Sequence, residues 1–142
     1  MEKILVSACL LGEACRYDGK SKPVQAVINL SKKYELIPVC AEVLGGLPTP
    51  RIGAEIVGNR VIRQDGCDVT KEYQNGAMAA LKIAKENNCK IAILKSKSPS
   101  CGKYCIYDGT FTRTLIEGQG ILCRLLLENG IRVLDETEIE KL

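Results

Sequence analysis

Apolar residues fall along the chain in two rhythms, and the rhythms predict its elements. Short runs of consecutive apolar residues suit strands buried on both faces: Lys3 to Val6 (KILV), Glu35 to Val39 (ELIPV), Lys90 to Leu94 (KIAIL) and Ile131 to Leu134. Between them lie stretches with helical spacing. Ser21 to Lys33 carries Pro23 in a first-turn position with Val24, Val27 and Ile28 in step, which predicts a helix. A longer helix is expected from a cap at Asp68 or Thr70 to about Asn87, with Tyr73, Ala77, Ala80, Leu81 and Ala84 on its apolar face. Gly120 to Asn129 reads as a third, closed by Gly130. The tail DETEIEKL reads as a short surface helix with Asp135 near its cap, and Ile56 to Arg63 as a small hairpin turning at Gly58-Asn59. Two segments have no period, CAEVLGGLPTPRIG and SKSPSCGKYCIYDG. Irregular stretches of that length in a compact domain are often functional.

Strands alternating with helices predict the α/β class: a single Rossmann-like domain over residues 1–142, with a mostly parallel sheet, helices on both faces and a small inserted hairpin. A chain of 142 residues suits one hydrophobic core. With 46% hydrophobic and 26% charged residues, disorder is excluded. The net charge of +3, scattered Lys and Arg, and only 4% aromatic residues argue against a nucleic-acid partner. The first apolar run is broken by Ser7 and soon followed by Glu13 and Arg16. It is too short to span a membrane and lacks a signal-peptide layout, so a cytoplasmic protein without membrane association is expected.

That expectation changes what the 8 Cys mean. Disulfides are rare in a reducing compartment, so surplus thiols point to a metal, a cluster or catalysis. His is 0, which excludes mixed Cys/His zinc sites and imidazole catalysis and leaves acid–base work to Asp, Glu, Lys, Tyr, Ser or Cys. Cys9 follows the first expected strand, Cys40 ends the second and Cys101 lies in the loop after the third. In a parallel sheet those loops leave from the carboxyl edge, where open α/β sheets form their crevice, so three distant thiols are expected at one site. A structural zinc would need a fourth donor there, Cys15 or Cys105. A [4Fe–4S] cluster takes four thiolates, or three with one iron left open as a Lewis acid. Spacing does not separate these cases: neither Cys9–Cys15 nor Cys101–Cys105 has the two-residue gap of a zinc ribbon or a ferredoxin run. Cys89 and Cys123 read as small buried hydrophobes and Cys67 as a turn residue. Arg16 with Asp18, and Arg51, could orient a substrate or simply form ion pairs. Gly45-Gly46 would let backbone come close to a ligand or make a tight turn.

Four blocks, VSACLLGEACRYDG, PVCAEVLGGLPTPR with AEI shortly after, LKSKSPSCG and IYDGTF, resemble the signatures of the 2-thiouracil desulfurase family. They stand in the family's order and cover most of Val6 to Phe111. The resemblance implies a [4Fe–4S]-dependent, non-redox enzyme that turns a thiolated pyrimidine such as 2-thiouracil into uracil and hydrosulfide. It implies that Cys9, Cys40 and Cys101 hold the cluster with one iron open, and that Glu42 and Ser98 are catalytic; Ser100, beside Pro99, is a lesser candidate for binding the substrate or a plain turn residue. Asp108 and Thr110 would brace the pocket. Ala41 and Gly53 stand where the family has Pro, which loosens the backbone near the site without deleting a functional group. The partner implied is a small thiolated molecule, and a protein prepared in air is expected to lack the cluster. Two other readings compete: a non-enzymatic zinc or iron–sulfur module, and a thiol/disulfide oxidoreductase using Cys101 and Cys105.

Overall fold

A computed structural model describes residues 1–142. Its elements run β1 (Glu2–Ser7), α1 (Gln25–Ile28), β2 (Tyr34–Val39), α2 (Ala41–Leu44), β3 (Ala54–Val57), β4 (Arg60–Arg63), α3 (Thr70–Glu86), β5 (Ile91–Leu94), β6 (Cys105–Tyr107), β7 (Leu115–Glu117), α4 (Ile121–Glu128) and β8 (Arg132–Asp135), with 3₁₀ turns at Ala8–Leu11, Asn29–Lys32 and Ile139–Lys141. The four apolar runs form one parallel sheet in the order β2-β1-β5-β8. Leu5, Ala92, Leu94 and Val133 pack on one side with Ala77, Ala80 and Leu81 of α3 and Leu122 and Leu126 of α4. Their neighbours Ile4, Val6, Ile93 and Leu134 point the other way, onto Leu10 and Val27. Both faces are therefore buried, which is why these strands are apolar without alternation. The α/β class and the doubly covered parallel sheet stand as expected. No helix is long and apolar enough to cross a membrane.

Local differences have physical causes. The helix expected over 21–33 shrinks to one α turn followed by a 3₁₀ turn, because Val24 enters extended without a side-chain cap and only Val27 is buried. Short helices need packing to persist, and one buried side chain supports one turn. Asp68 does serve the start of α3, its Oδ1 accepting from Thr70 N at 2.9 Å, while the Thr70 hydroxyl oxygen instead accepts from Val61 N of β4. The stretch after Cys40, expected to be irregular, contains the α2 turn. Gly45 is required there by the neighbouring helix and not by a ligand: a Cβ would lie 2.0 Å from Glu72 O, and one on Gly76 would lie 1.8 Å from Ala41 O. A second hairpin, β6–β7, forms where the sequence carries no strand pattern.

The tail differs most. It is no surface helix: β8 runs to Asp135, whose carboxylate accepts from Thr137, and the next acids turn inward. Glu136 accepts from Ser96 N at 2.8 Å and pairs with Lys95 at 3.0 Å. Glu138, 4% exposed, accepts from Lys103, Lys141, the Tyr104 hydroxyl and Asp135 N. Two carboxylates of one segment thus grip both ends of the loop that carries Cys101. Burial works against a charged Glu138, but the hydrogen bonds from Lys141, Tyr104 and Lys103 outweigh it and hold the carboxyl at about 2. A carboxyl depressed in the folded state contributes stability that is full above its unfolded value and lost as pH falls through the folded one. Between about pH 4.5 and 2 the protein should lose on the order of 2–3 kcal/mol from this group alone. Thermal melts at pH 7 and pH 3 should show Glu138→Gln with the lower stability at pH 7 and the smaller loss on acidification.

Candidate active site

The sheet order makes a topological switch: β1 connects outward to β2, and the chain then crosses to the other side of β1 to lay down β5. A crevice opens at such a point beyond the carboxyl ends of the strands. Here Ser7, the last residue of β1, holds the two strand ends together. Its Oγ accepts from Lys95 N at 3.0 Å, just beyond β5, and donates to Cys101 Sγ at 3.5 Å. The crevice is a cavity of about 340 Å³ whose wall includes Cys9, Cys15, Cys40, Cys101, Glu42 and Arg51. Cys9 sits in the 3₁₀ turn that follows β1, and Cys40 is the residue before α2. Cys101 is set by a compact turn: Ser98 Oγ accepts from Ser100 N at 3.0 Å and Cys101 N at 2.9 Å, and Pro99 O and Ser100 O receive Ile121 N and Leu122 N from the start of α4.

The one-turn α2 explains the position of Glu42. Its tight seat on α3 presents the carboxylate, 9% exposed, to the cavity, where Oε2 lies 3.4 Å from Cys40 Sγ and 3.6 Å from Arg51 Nη2. Arg51 is itself anchored, donating to Cys15 O at 3.0 Å, Pro48 O at 3.2 Å and Thr49 Oγ1 at 3.3 Å. A carboxylate, a guanidinium and a thiol therefore form one fixed unit.

Burial pushes the Cys9 thiol up to about 11, with the neighbouring Cys40 adding to the effect. Cys101 is raised by burial and then by Glu42, partly offset by the Ser7 hydroxyl. Cys40 is raised first by its hydrogen bond to the Cys15 thiol, then by burial and Glu42. As thiolates these side chains would need a cationic partner in the cavity. Arg16, Arg51, Lys95, Lys97 and Arg113 line it against only two carboxylates, Glu42 and Glu55, so the cavity carries an excess of positive charge. No three Cys, Asp or Glu side chains converge closely enough to hold a single metal ion.

Of the residues singled out from the sequence, Cys9, Cys40, Cys101, Glu42, Ser98, Arg16 and Arg51 share the cavity. Ser100 and Asp18 are not on its wall. Ser100 is fully buried with its Oγ unpartnered, and Asp18 is exposed, 3.5 Å from Arg16 and accepting from Lys20 N. Cys15 lines the cavity beside Cys40, whereas Cys105 belongs to β6 and does not, so Cys101 and Cys105 do not share it. Cys89 and Cys123 are buried in the core, and Cys67 is exposed in a turn. The lining also includes residues not expected at the site from the sequence, among them Ser7, Glu55, Lys95, Phe111, Arg113 and Tyr73, which was expected on a helix face. Glu55 had a legible signal: an acid at the inward position of the short strand AEIV.

The profile of the 2-thiouracil desulfurase family matches residues 4–138. The Bacillus subtilis (strain 168) protein YbbK is 40% identical over 146 residues, covering 96% of this chain and 97% of its own length. Among solved structures, the [4Fe–4S]-dependent thiouracil desulfidase TudS superposes with a TM-score of 0.96 at 42% identity, over 100% of this chain and 95% of that one. With its fold, its length and nearly all of its sequence matched, the chain belongs to the 2-thiouracil desulfurase family, a family of enzymes.

Proposed function

We propose that the protein hydrolyses the thiocarbonyl of a thiolated pyrimidine, 2-thiouracil being the reference case, to the carbonyl and hydrosulfide, with a [4Fe–4S] cluster held by Cys9, Cys40 and Cys101. The observation that carries the reading is the meeting of these three thiols with the Cys40–Glu42–Arg51 unit on one cavity. The donor set fits the group: three thiols on one cavity wall, among excess positive charge that suits thiolate ligands. When bound, the cluster supplies a thiophilic Lewis acid that polarises the thiocarbonyl through its sulfur.

The protein's own groups do the rest. Glu42 takes a proton from the attacking water and returns one as the carbon–sulfur bond breaks. Arg51 holds the carboxylate in place through its three backbone and side-chain anchors. Ser98 uses its oxygen to fix the Cys101 turn, which leaves its hydroxyl proton to donate to the substrate ring. Burial raises the Tyr73 hydroxyl in the cavity wall, so it stays protonated at neutral pH and serves as a donor. Water adds, hydrosulfide leaves and no electron is gained or lost.

Anaerobic reconstitution tests this. The expected product is a brown protein with about four irons and four acid-labile sulfides per chain that releases uracil and sulfide in equal amounts from 2-thiouracil. One zinc per chain without bound sulfide, and no turnover, would sink the reading.

A further inference from the structure

Part of the cavity wall comes from two hairpins, and the β6–β7 loop holds two lining residues, Phe111 and Arg113, in a costly conformation. The β6–β7 loop is closed by Asp108 N donating to Thr114 O at 2.9 Å. Within it Phe111 and Arg113 both have φ 60°, the left-handed region that bulky side chains avoid, and of the two only Phe111 is tied down by a buried carboxylate. Glu55, 8% exposed on β3, accepts from Gly109 N at 3.0 Å and Phe111 N at 3.2 Å through one oxygen. Gly109 lets the loop sit against β3, since a Cβ there would lie 2.8 Å from Ile56 O. Phe111 is the chain's single Phe, yet it joins none of the hydrophobic core clusters and lines the cavity instead. A buried carboxylate spent on fixing a strained backbone, to present an aromatic ring outside the core, points to a ligand for that ring.

Building on the proposed desulfuration, we infer that Phe111 is the stacking face for the substrate's planar ring, with Glu55 as its positioning residue. The site then selects a thiocarbonyl within a flat, unsaturated heterocycle over a puckered or open-chain one. Stacking of a base on an aromatic side chain is sequence-tolerant and strong enough to set such a preference.

The test compares binding of uracil with 5,6-dihydrouracil, which keeps the hydrogen-bonding edge but loses the planar ring. Calorimetry on the reconstituted protein should give the wild type roughly a tenfold or greater preference for uracil. Phe111→Leu, which keeps apolar bulk without a π face, should abolish that preference, and Phe111→Tyr should retain it. Glu55→Ala should reduce the preference, because the ring is then no longer held in place. No uracil preference in the wild type, or its survival in Phe111→Leu, overturns the inference. Failure of 2-thiouracil turnover alongside an intact ring preference would refute desulfuration and leave the stacking face standing.

Discussion

Cys101→Ser is expected to give a protein that folds, as read by its melting curve and circular dichroism, and holds almost no iron after reconstitution. The substitution changes one atom in a buried turn whose backbone bonds to Ser98 Oγ and α4 are independent of the sulfur. What disappears is the proposed ligand, which a serine hydroxyl, far less acidic than a thiol, does not replace. Iron should fall from about four per chain to below one, and turnover should drop by at least about a thousandfold, since the Lewis acid leaves with the iron. Cys9→Ser and Cys40→Ser should behave alike. Cys15→Ser is the informative contrast. Cys15 lines the same cavity beside Cys40, yet if three thiolates hold the cluster, this variant keeps its iron and most of its activity. Loss of iron from Cys15→Ser would mean a fourth ligand and no open iron.

Glu42→Gln should separate loading from chemistry. Glutamine keeps the length and one acceptor oxygen, so its contacts with Arg51 and Cys40 survive in part and the cluster should load fully. It does not accept a proton from water. Removal of a general base costs roughly 10²- to 10⁴-fold in rate, so kcat should fall by that factor while uracil binding changes little. Single-turnover kinetics with iron content measured on the same sample checks both halves. Iron loss in Glu42→Gln would recast the carboxylate as a structural partner of the thiols, and unchanged kcat would remove it from the chemistry.

The fold was legible where burial left a simple signature. KILV, ELIPV, KIAIL and the run from Ile131 read as strands because both faces of the sheet are covered. The β6–β7 hairpin had no such signature, as Leu115, Ile116 and Glu117 are all exposed and show no alternation. The tail misled for the opposite reason. Its acids look like a solvated face in sequence, but Glu136 and Glu138 are drawn inward by Lys95, Ser96, Lys103 and Tyr104, partners remote along the chain. At the site, the parallel sheet brought Cys9, Cys40 and Cys101 together from topology alone. Glu42 rested on family resemblance, because nothing in the sequence reports how closely α2 packs on α3. Phe111 was invisible because its place depends on a left-handed backbone angle and on a bond from its N–H to Glu55 on another hairpin.

The grip of the tail on the Cys101 loop has a consequence for biosynthesis. Glu138 lies 35 residues beyond Lys103, and Glu136 lies 40 beyond Ser96. While the chain is being made, all three cysteines emerge before the carboxylates that order the third one exist. The Cys101 turn has its own bonds to Ser98 and α4, but both ends of its loop gain their carboxylate partners only when the last residues of the chain are in place. Shortening the chain before Glu136 is therefore expected to lower the iron taken up on reconstitution, measured per chain, even though every cysteine is present.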